Sequence, residues 1–231
     1  MIEWLFPPRC PVCMQPVLPK GAMLHPGCAW QMEPLTEPLC MRCGKPLETE
    51  DEEYCTACLI ADRAWDAGRS VYPYRGAAGG AIRRVKQEGT VEFVRFFGKQ
   101  LAAVKMKAFP ENGEMCIVPV PLHKSKLRRR GFNQARLLAE AVALETGLPV
   151  RELLFKTKKT KDQKQLALEQ RKKNLSDVYR VKETEKAAGL PETVLLLDDI
   201  ITTGSTLTAC AKALKEAGVK TVYFLTVCAG E

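Results

Sequence analysis

Apolar and polar positions divide the chain into two regimes. Up to about residue 65 the apolar residues stand singly among prolines, cysteines and charges, without a sustained period. Beyond it they gather into short continuous runs and into repeats with the 3.6-residue spacing of helices. Such repeats predict helices over 77–87 and 91–107. Met115-Cys116-Ile117-Val118 predicts a short strand stopped by Pro119. A further helix is expected over 131–144, with Leu137, Leu138, Ala141 and Leu144 on its apolar face and Gly147 and Pro149 ending it. Leu153-Leu154-Phe155 is a candidate strand, and the polar segment after it has no period until about Gln165, which reads as a mobile loop leading into a short helix.

The run Val194-Leu195-Leu196-Leu197 is continuously apolar, as a central parallel strand covered on both faces must be. A helix over 205–215 follows, with Leu207, Ala211 and Leu214 on one face and Gly218 as its stop, and 222–227 predicts another buried strand. Strand, helix and strand in this order imply a βαβ unit in a mainly parallel α/β sheet. Ligands of such sheets bind beyond the carboxyl ends of the strands. The expected organisation is a cysteine-rich unit over 1–65 and an α/β unit over 66–231.

Charge sharpens this division. Lysine plus arginine number 35 against 27 acids. The excess is concentrated over 122–136, where Lys124, Lys126, Arg128, Arg129, Arg130 and Arg136 occur with no acid, and over 156–173, where eight basic residues meet only Asp162 and Glu169. Concentrated positive charge suits a polyanion, whether pyrophosphate or a nucleic-acid backbone; a pair of solvated basic surfaces is the plainer alternative. No apolar run reaches the length of a membrane span, and Met1-Ile2-Glu3-Trp4 does not open a basic and then apolar leader. A cytoplasmic protein that does not span the membrane is expected.

Seven of the ten cysteines lie in the first sixty residues. Cys40-x2-Cys43 and Cys55-x2-Cys58 form one complete set with zinc-ligand spacing, because each tight turn points two thiolates at one ion and two turns complete a tetrahedron. Cys10-x2-Cys13 with His25-x2-Cys28 forms a second set, imidazole replacing one thiolate. A disulfide framework is the rival, but repeated short Cys-x-x-Cys turns in a chain without a leader favour metal. Eight prolines between Pro7 and Pro38 leave little room for regular helix, so metal takes over what a core cannot supply there. Four protein ligands leave no open coordination position, which makes the role structural. Cys116, Cys210 and Cys228 sit in apolar stretches and read as core residues.

At the end of the central strand stands Asp198-Asp199-Ile200-Ile201-Thr202-Thr203-Gly204-Ser205-Thr206. Free backbone N–H groups at the following helix start favour a phosphate, the hydroxyls of Thr202, Thr203, Ser205 and Thr206 add donors, and Gly204 permits close backbone approach. Asp198 and Asp199 would repel phosphate, so their natural targets are ribose hydroxyls or a magnesium ion that retains waters. An N-capping stretch beside two surface acids is the alternative. The order of residues is not that of a P-loop.

This segment, over 194–207, resembles the 5-phosphoribosyl-1-pyrophosphate (PRPP) signature of type I phosphoribosyltransferases. The resemblance implies that Asp198 and Asp199 are catalytic and face the ribose hydroxyls, while Thr202 to Thr206 hold the 5-phosphate. Cysteine knuckles at the front, Val118-Pro119-Val120-Pro121, Arg129-Arg130-Gly131-Phe132-Asn133-Gln134, the segment 165–174 and the PRPP loop together resemble the ComF family of competence proteins along nearly the whole chain. His25 stands where that family more often has cysteine. The resemblance implies a zinc-binding front, a type I phosphoribosyltransferase-like body with parallel sheet and flanking helices, magnesium with PRPP, and work on incoming single-stranded DNA beside a helicase-like partner. The loop after Val118 then takes the pyrophosphate position, with Lys124, Arg128, Arg129 and Arg130 contacting either pyrophosphate or DNA backbone. The segment 156–170 corresponds to the hood that closes over pyrophosphate in related enzymes. Phe132 is a candidate for stacking on a base, although one aromatic at a helix start more often packs. Transfer of phosphoribose to an acceptor is the alternative function.

Overall fold

The computed structural model describes residues 7–19, 21–109, 114–157 and 178–230. Four strands, β1 (Ala67–Pro73), β2 (Met115–Pro119), β5 (Thr193–Ile201) and β6 (Thr221–Ala229), form a parallel sheet in the order β1-β6-β5-β2. Leu197 lies opposite Pro119 on one side and Leu225 on the other, so the carboxyl ends of β2, β5 and β6 align along one edge. The remaining strands, β3 (Leu154–Lys156) and β4 (Tyr179–Val181), pair antiparallel as a separate ribbon. Residues 158–177, with most of the expected loop and short helix, lie outside the described residues.

Alternation along β5 sorts the core into two layers. Val194 and Leu196 enter a layer with α7 (Ser205–Glu216) and the β3–β4 ribbon. Leu195 and Leu197 enter the other, with α2 (Gly76–Glu88), α3 (Phe93–Ala108) and α5 (Gln134–Thr146). All four side chains are fully buried, as the continuous apolar run requires. Cys116, Cys210 and Cys228 are buried in these layers.

The stretch over 131–144 departs from its prediction. Residues before it form a separate helix, α4 (Lys124–Arg130), which ends because Gly131 adopts φ 82° and turns the chain. Asn133 then starts α5, its side chain accepting from the Ala135 N–H at 3.1 Å. The buried face of α5 is also rotated from the expected one: Ala135, Leu138, Ala139 and Val142 face the core, and Leu144 is 88% exposed. Strand β1, ribbon strand β4 and helix α6 (Glu183–Ala187) were not indicated by the periodicity.

Among the described residues the front is mostly turns, with one 3-10 helix (Pro26–Gln31) and α1 (Thr56–Ile60). Both halves lie against the body. Met32 is buried in the layer containing α2 and α3, and Arg9 pairs with Glu92 at 2.6 Å. Cys40, Cys43 and Cys58 are buried in the layer below α7.

Candidate functional site

The two cysteine sets assemble as their spacing predicts. Cys10, Cys13, His25 and Cys28 form one cluster and Cys40, Cys43, Cys55 and Cys58 another, the ligand atoms of each lying within 4.8 Å of one another. Zinc–sulfur bonds of about 2.3 Å place tetrahedral ligands about 3.8 Å apart, and Cys43 Sγ to Cys55 Sγ measures 3.6 Å. Both donor sets therefore fit zinc. Burial raises the Cys40 thiol, but backbone N–H groups of Cys55, Cys43 and Arg42 outweigh it and bring the pKa down to about 7. At Cys10 burial is likewise outweighed by the backbone N–H groups of His25, Cys13 and Val12, giving about 6. The first cysteine of each set is thus favoured as thiolate, the form that binds metal, while Cys28 and Cys58 are pushed up to about 11 by desolvation, so a cation is needed to complete either set of thiolates. His25 fills its place in the first set through Nδ1, 3.2 Å from Cys13 Sγ, while Nε2 lies 3.0 Å from the Pro16 carbonyl. A hydrogen bond to that carbonyl fixes the tautomer that leaves Nδ1 free as a ligand.

Asp198, Asp199 and Ile200 lie at the carboxyl end of β5, followed by an exposed Thr202-Thr203 turn and then α7. Gly204 has φ 75°, a conformation that disfavours other residues, and its carbonyl accepts from the Thr208 N–H at 2.8 Å. Gly204 has no side chain to cap α7; Thr203 Oγ1 meets the Ser205 N–H at 3.4 Å, and the N–H groups of the first turn lack helical acceptors. Thr203 Oγ1 and Ser205 Oγ lie 2.8 Å apart, converging hydroxyls at that helix start. Anion-seeking groups thus sit together at the end of the sheet, as the sequence requires of a phosphate loop.

The two acids occupy different environments. Asp199 is buried, and its Oδ1 pairs with Lys86 Nζ from α2 at 2.9 Å while Oδ2 has no partner. Asp198 is half-buried and turns one oxygen to the Asp199 N–H at 2.8 Å. Desolvation, then the neighbouring Asp199 charge, pushes the Asp198 carboxyl up to about 8. Such a carboxylate is poised to gain from a cation or from ribose hydroxyl donors.

Two lysines near this pair were not singled out by the sequence. Lys86 looks like one more basic residue of an amphipathic helix, and only the fold places its ammonium on Asp199. Lys156, at the end of β3, lies 5.1 Å from the Tyr179 ring centroid. Burial, followed by the Lys126 charge, lowers its pKa, and Asp198 acts in the opposite sense.

Lys124, Arg128, Arg129 and Arg130 all fall on α4, which buries none of its residues. Arg130 is turned inward to Gln134. Lys124, Arg128 and Arg129 are exposed and make no ion pair among the described residues. The helix begins four residues after Val120, whose N–H bonds the Leu197 carbonyl at 2.9 Å, so it departs from the same sheet edge as the Asp198 loop. Beside it a cleft of about 750 Å³ is lined by Leu127, Phe132, Arg136, Phe155 and Lys182, among others. Phe132 is half-buried and lines this cleft. No described helix is long and apolar enough to cross a membrane.

Residues 1–59 match the double zinc ribbon domain and residues 128–231 the phosphoribosyl transferase domain. The chain is 29% identical to competence protein ComFC of Bacillus subtilis, covering 83% of this chain and 77% of that one. It is 28% identical to competence protein F of Haemophilus influenzae, with 85% and 86% covered, and 28% identical to DNA utilization protein YhgH of Escherichia coli, with 82% and 83% covered. Among solved structures, glutamine phosphoribosylpyrophosphate amidotransferase from Bacillus subtilis aligns at 17% identity and a TM-score of 0.39, over 59% of this chain and about a quarter (26%) of that chain's length. Zinc-ligand clusters at the front, the acid–hydroxyl loop on a parallel sheet and relatives alike over most of their length agree with one another: the chain joins a double zinc ribbon domain to a phosphoribosyl transferase domain and is a homologue of the ComF-type competence proteins over most of its length.

Proposed function

We propose that the protein is a cytoplasmic DNA-uptake factor of competence that holds PRPP with magnesium in the loop over 198–206 and single-stranded DNA along α4. The observation that carries this reading is the placement of an exposed, unpacked basic helix at the same sheet edge as the ribose-phosphate loop. A helix that buries nothing gains no stability from packing, and five basic residues in seven repel one another. Only the last-turn arginines are offset by the helix dipole. A polyanion relieves that repulsion, and DNA backbone supplies phosphates along the helix length. The relatives' roles in competence and DNA utilization, as their names give them, support the same reading. In it Thr202 to Thr206 take the 5-phosphate, and Asp198 and Asp199 take the ribose hydroxyls or magnesium. The zinc ribbons, over 1–65, and the body over 66–231 form the two units. A helicase-like partner would act on the strand that this protein holds.

Raising salt from 50 to 200 mM is expected to weaken single-stranded DNA binding ~100-fold, if about five phosphates are neutralised. Arg128→Ala with Arg129→Ala should lower the slope of log affinity against log salt by about 1.4. Fluorescence anisotropy with a labelled oligonucleotide measures both, and a flat salt response would refute the DNA assignment. The acidic pair, with Lys86 and Lys156 near it, favours one further reading, transfer of phosphoribose to an acceptor. Pyrophosphate release from Mg-PRPP, assayed with and without single-stranded DNA, separates consumption of PRPP from its mere binding.

A further inference from the structure

The short segment between the second zinc knuckle and β1 touches the knuckle on one side and the phosphate loop on the other. Arg63 donates through Nη1 to the Thr203 carbonyl at 2.8 Å and through Nη2 to the Ala57 carbonyl at 3.4 Å. Thr203 belongs to the phosphate loop, and Ala57 lies between Cys55 and Cys58. The same guanidinium stacks 5.1 Å from the ring centroid of Trp65. Trp65 is 1% exposed, and its Nε1–H donates to the Arg42 carbonyl, between Cys40 and Cys43, at 3.1 Å. Its other end lies under the loop. A Cβ built on Gly204 would stand 2.6 Å from Trp65 Cη2 and 3.1 Å from Arg63 Nη1. The loop therefore rests directly on this tryptophan–arginine pair.

The base of the contact is anchored independently. Trp65 packs edge-on against Phe224 of β6 with centroids 5.1 Å apart. Asp66 exchanges two hydrogen bonds with Val222, its N–H donating to the carbonyl at 2.9 Å and its Oδ2 accepting from the N–H at 2.7 Å, and pairs with Lys215 at 2.7 Å. Arg69 in β1 adds a bond to the Met41 carbonyl at 3.2 Å. With both Cys-x2-Cys turns hydrogen-bonded to a segment fixed on β6, the second zinc cluster, Trp65 and Arg63 are held in one frame.

We propose that Arg63 and Trp65 are positioning residues for the phosphate loop, transmitting the order of the second zinc knuckle to Thr202–Thr206; the inference rests on the PRPP reading of that loop. Neither residue contacts the phosphate in this assignment. Trp65 supplies the floor that holds Gly204 in its left-handed conformation. Arg63 holds the Thr203 carbonyl, keeping that acceptor away from the anion and the neighbouring N–H groups toward it. The knuckle is thereby more than a stabiliser of the front: its integrity is required for a preorganised phosphate site.

The experiment compares the full-length zinc-loaded protein with its Arg63→Ala and Trp65→Phe variants. Hydrogen exchange of the amides over 202–208 reads the loop without any ligand, Mg-PRPP titration calorimetry reads its affinity, and metal analysis reads the zinc content. Arg63→Ala is expected to keep all its zinc, exchange its loop amides about tenfold faster and bind Mg-PRPP about tenfold more weakly, the loss of a hydrogen bond from a charged donor. Trp65→Phe should show the same sign in exchange. Should the wild-type protein not bind Mg-PRPP, the PRPP reading fails, while faster loop exchange in the variants still supports the positioning role. Loop exchange unchanged in zinc-replete Arg63→Ala and Trp65→Phe overturns the proposal.

Discussion

Changing Cys40 and Cys43 to serine is expected to release one metal ion per chain and to lower the melting temperature by about 10 °C or more. Structural zinc binding contributes about 10–16 kcal/mol in small zinc modules. A loss of only a third of that, in a chain of this length, corresponds to a shift of about 10 °C at roughly 2–4 °C per kcal/mol. The expected effect is large because these cysteines are not on a peripheral appendage. Cys40 and Cys43 are buried in the same core layer as Leu207, Cys210 and Phe224. Without metal, the variant leaves the Cys55 and Cys58 thiols and two serine hydroxyls facing one another where the ion was held, and burial raises the Cys58 thiol to about 11, so a thiolate there is not tolerated unneutralised. The first cluster, Cys10, Cys13, His25 and Cys28, should keep its ion, because it packs on the opposite core layer through Met32. Metal analysis beside a calorimetric scan checks both statements. Two ions retained in the double variant would show that the ligands of the second site lie elsewhere.

Local signals in the sequence carried the architecture where the physics is local. The apolar run over 194–197, the hydroxyl-rich turn and the helix after it came out as read, because a doubly covered strand and a helix start each need particular residues in consecutive positions. The zinc sets were legible for the same reason: four residues of each knuckle already fix two ligands. Misreadings arose where packing between distant segments decides. The expected apolar face of α5 holds at Leu138, which is buried, and at Leu137 and Ala141, which pack on the core, Ala141 meeting Gly98 of α3; the buried face is centred further round, on Ala135, Ala139 and Val142, and leaves Leu144 in solvent. Gly131 read as a helix start and is in fact the turn that ends α4. Strand β1, Ala-Gly-Arg-Ser-Val-Tyr-Pro, carries no strand period because Arg69 and Ser70 interrupt its apolar character; Ser70 is buried against Thr226 at 2.7 Å, a pairing that exists only once β1 lies on β6. Lys86 and Arg63 belong to the site for the same nonlocal reason, meeting partners 113 and 140 residues away.

Those partners determine how the two adjacent acids should differ under mutation. Asp198→Asn and Asp199→Ala are each expected to weaken Mg-PRPP binding ~100-fold or more, since each removes charge-assisted bonds worth about 1.5–3 kcal/mol apiece, and both should retain full zinc. Their effects on stability should be opposite. Asp199→Ala strands the Lys86 ammonium, which is only 23% exposed, without its counter-ion, and breaking such a pair costs about 3–5 kcal/mol at full burial and less here. Asp198, in contrast, is held protonated by burial and by Asp199, with a folded pKa near 8 against an ordinary 3.8. Between those values the folded protein binds more protons than the unfolded chain, so stability falls as pH rises from about 4 to 8. Asparagine removes that titration. Asp198→Asn should therefore melt close to wild type at pH 5 and several degrees above it at pH 8, the gap widening because folding of the wild type must take up a proton that the unfolded chain gives up more readily as pH rises. Calorimetric scans of the three proteins across this range decide the matter: a gap that is constant with pH would mean that Asp198 is ionised throughout, and retained Mg-PRPP affinity in both variants would take the ribose phosphate away from this loop. A lower stability bought at the carboxylate pair is what a binding site built to receive magnesium and ribose hydroxyls requires, because the ligand supplies the neutralising partners that the empty fold withholds.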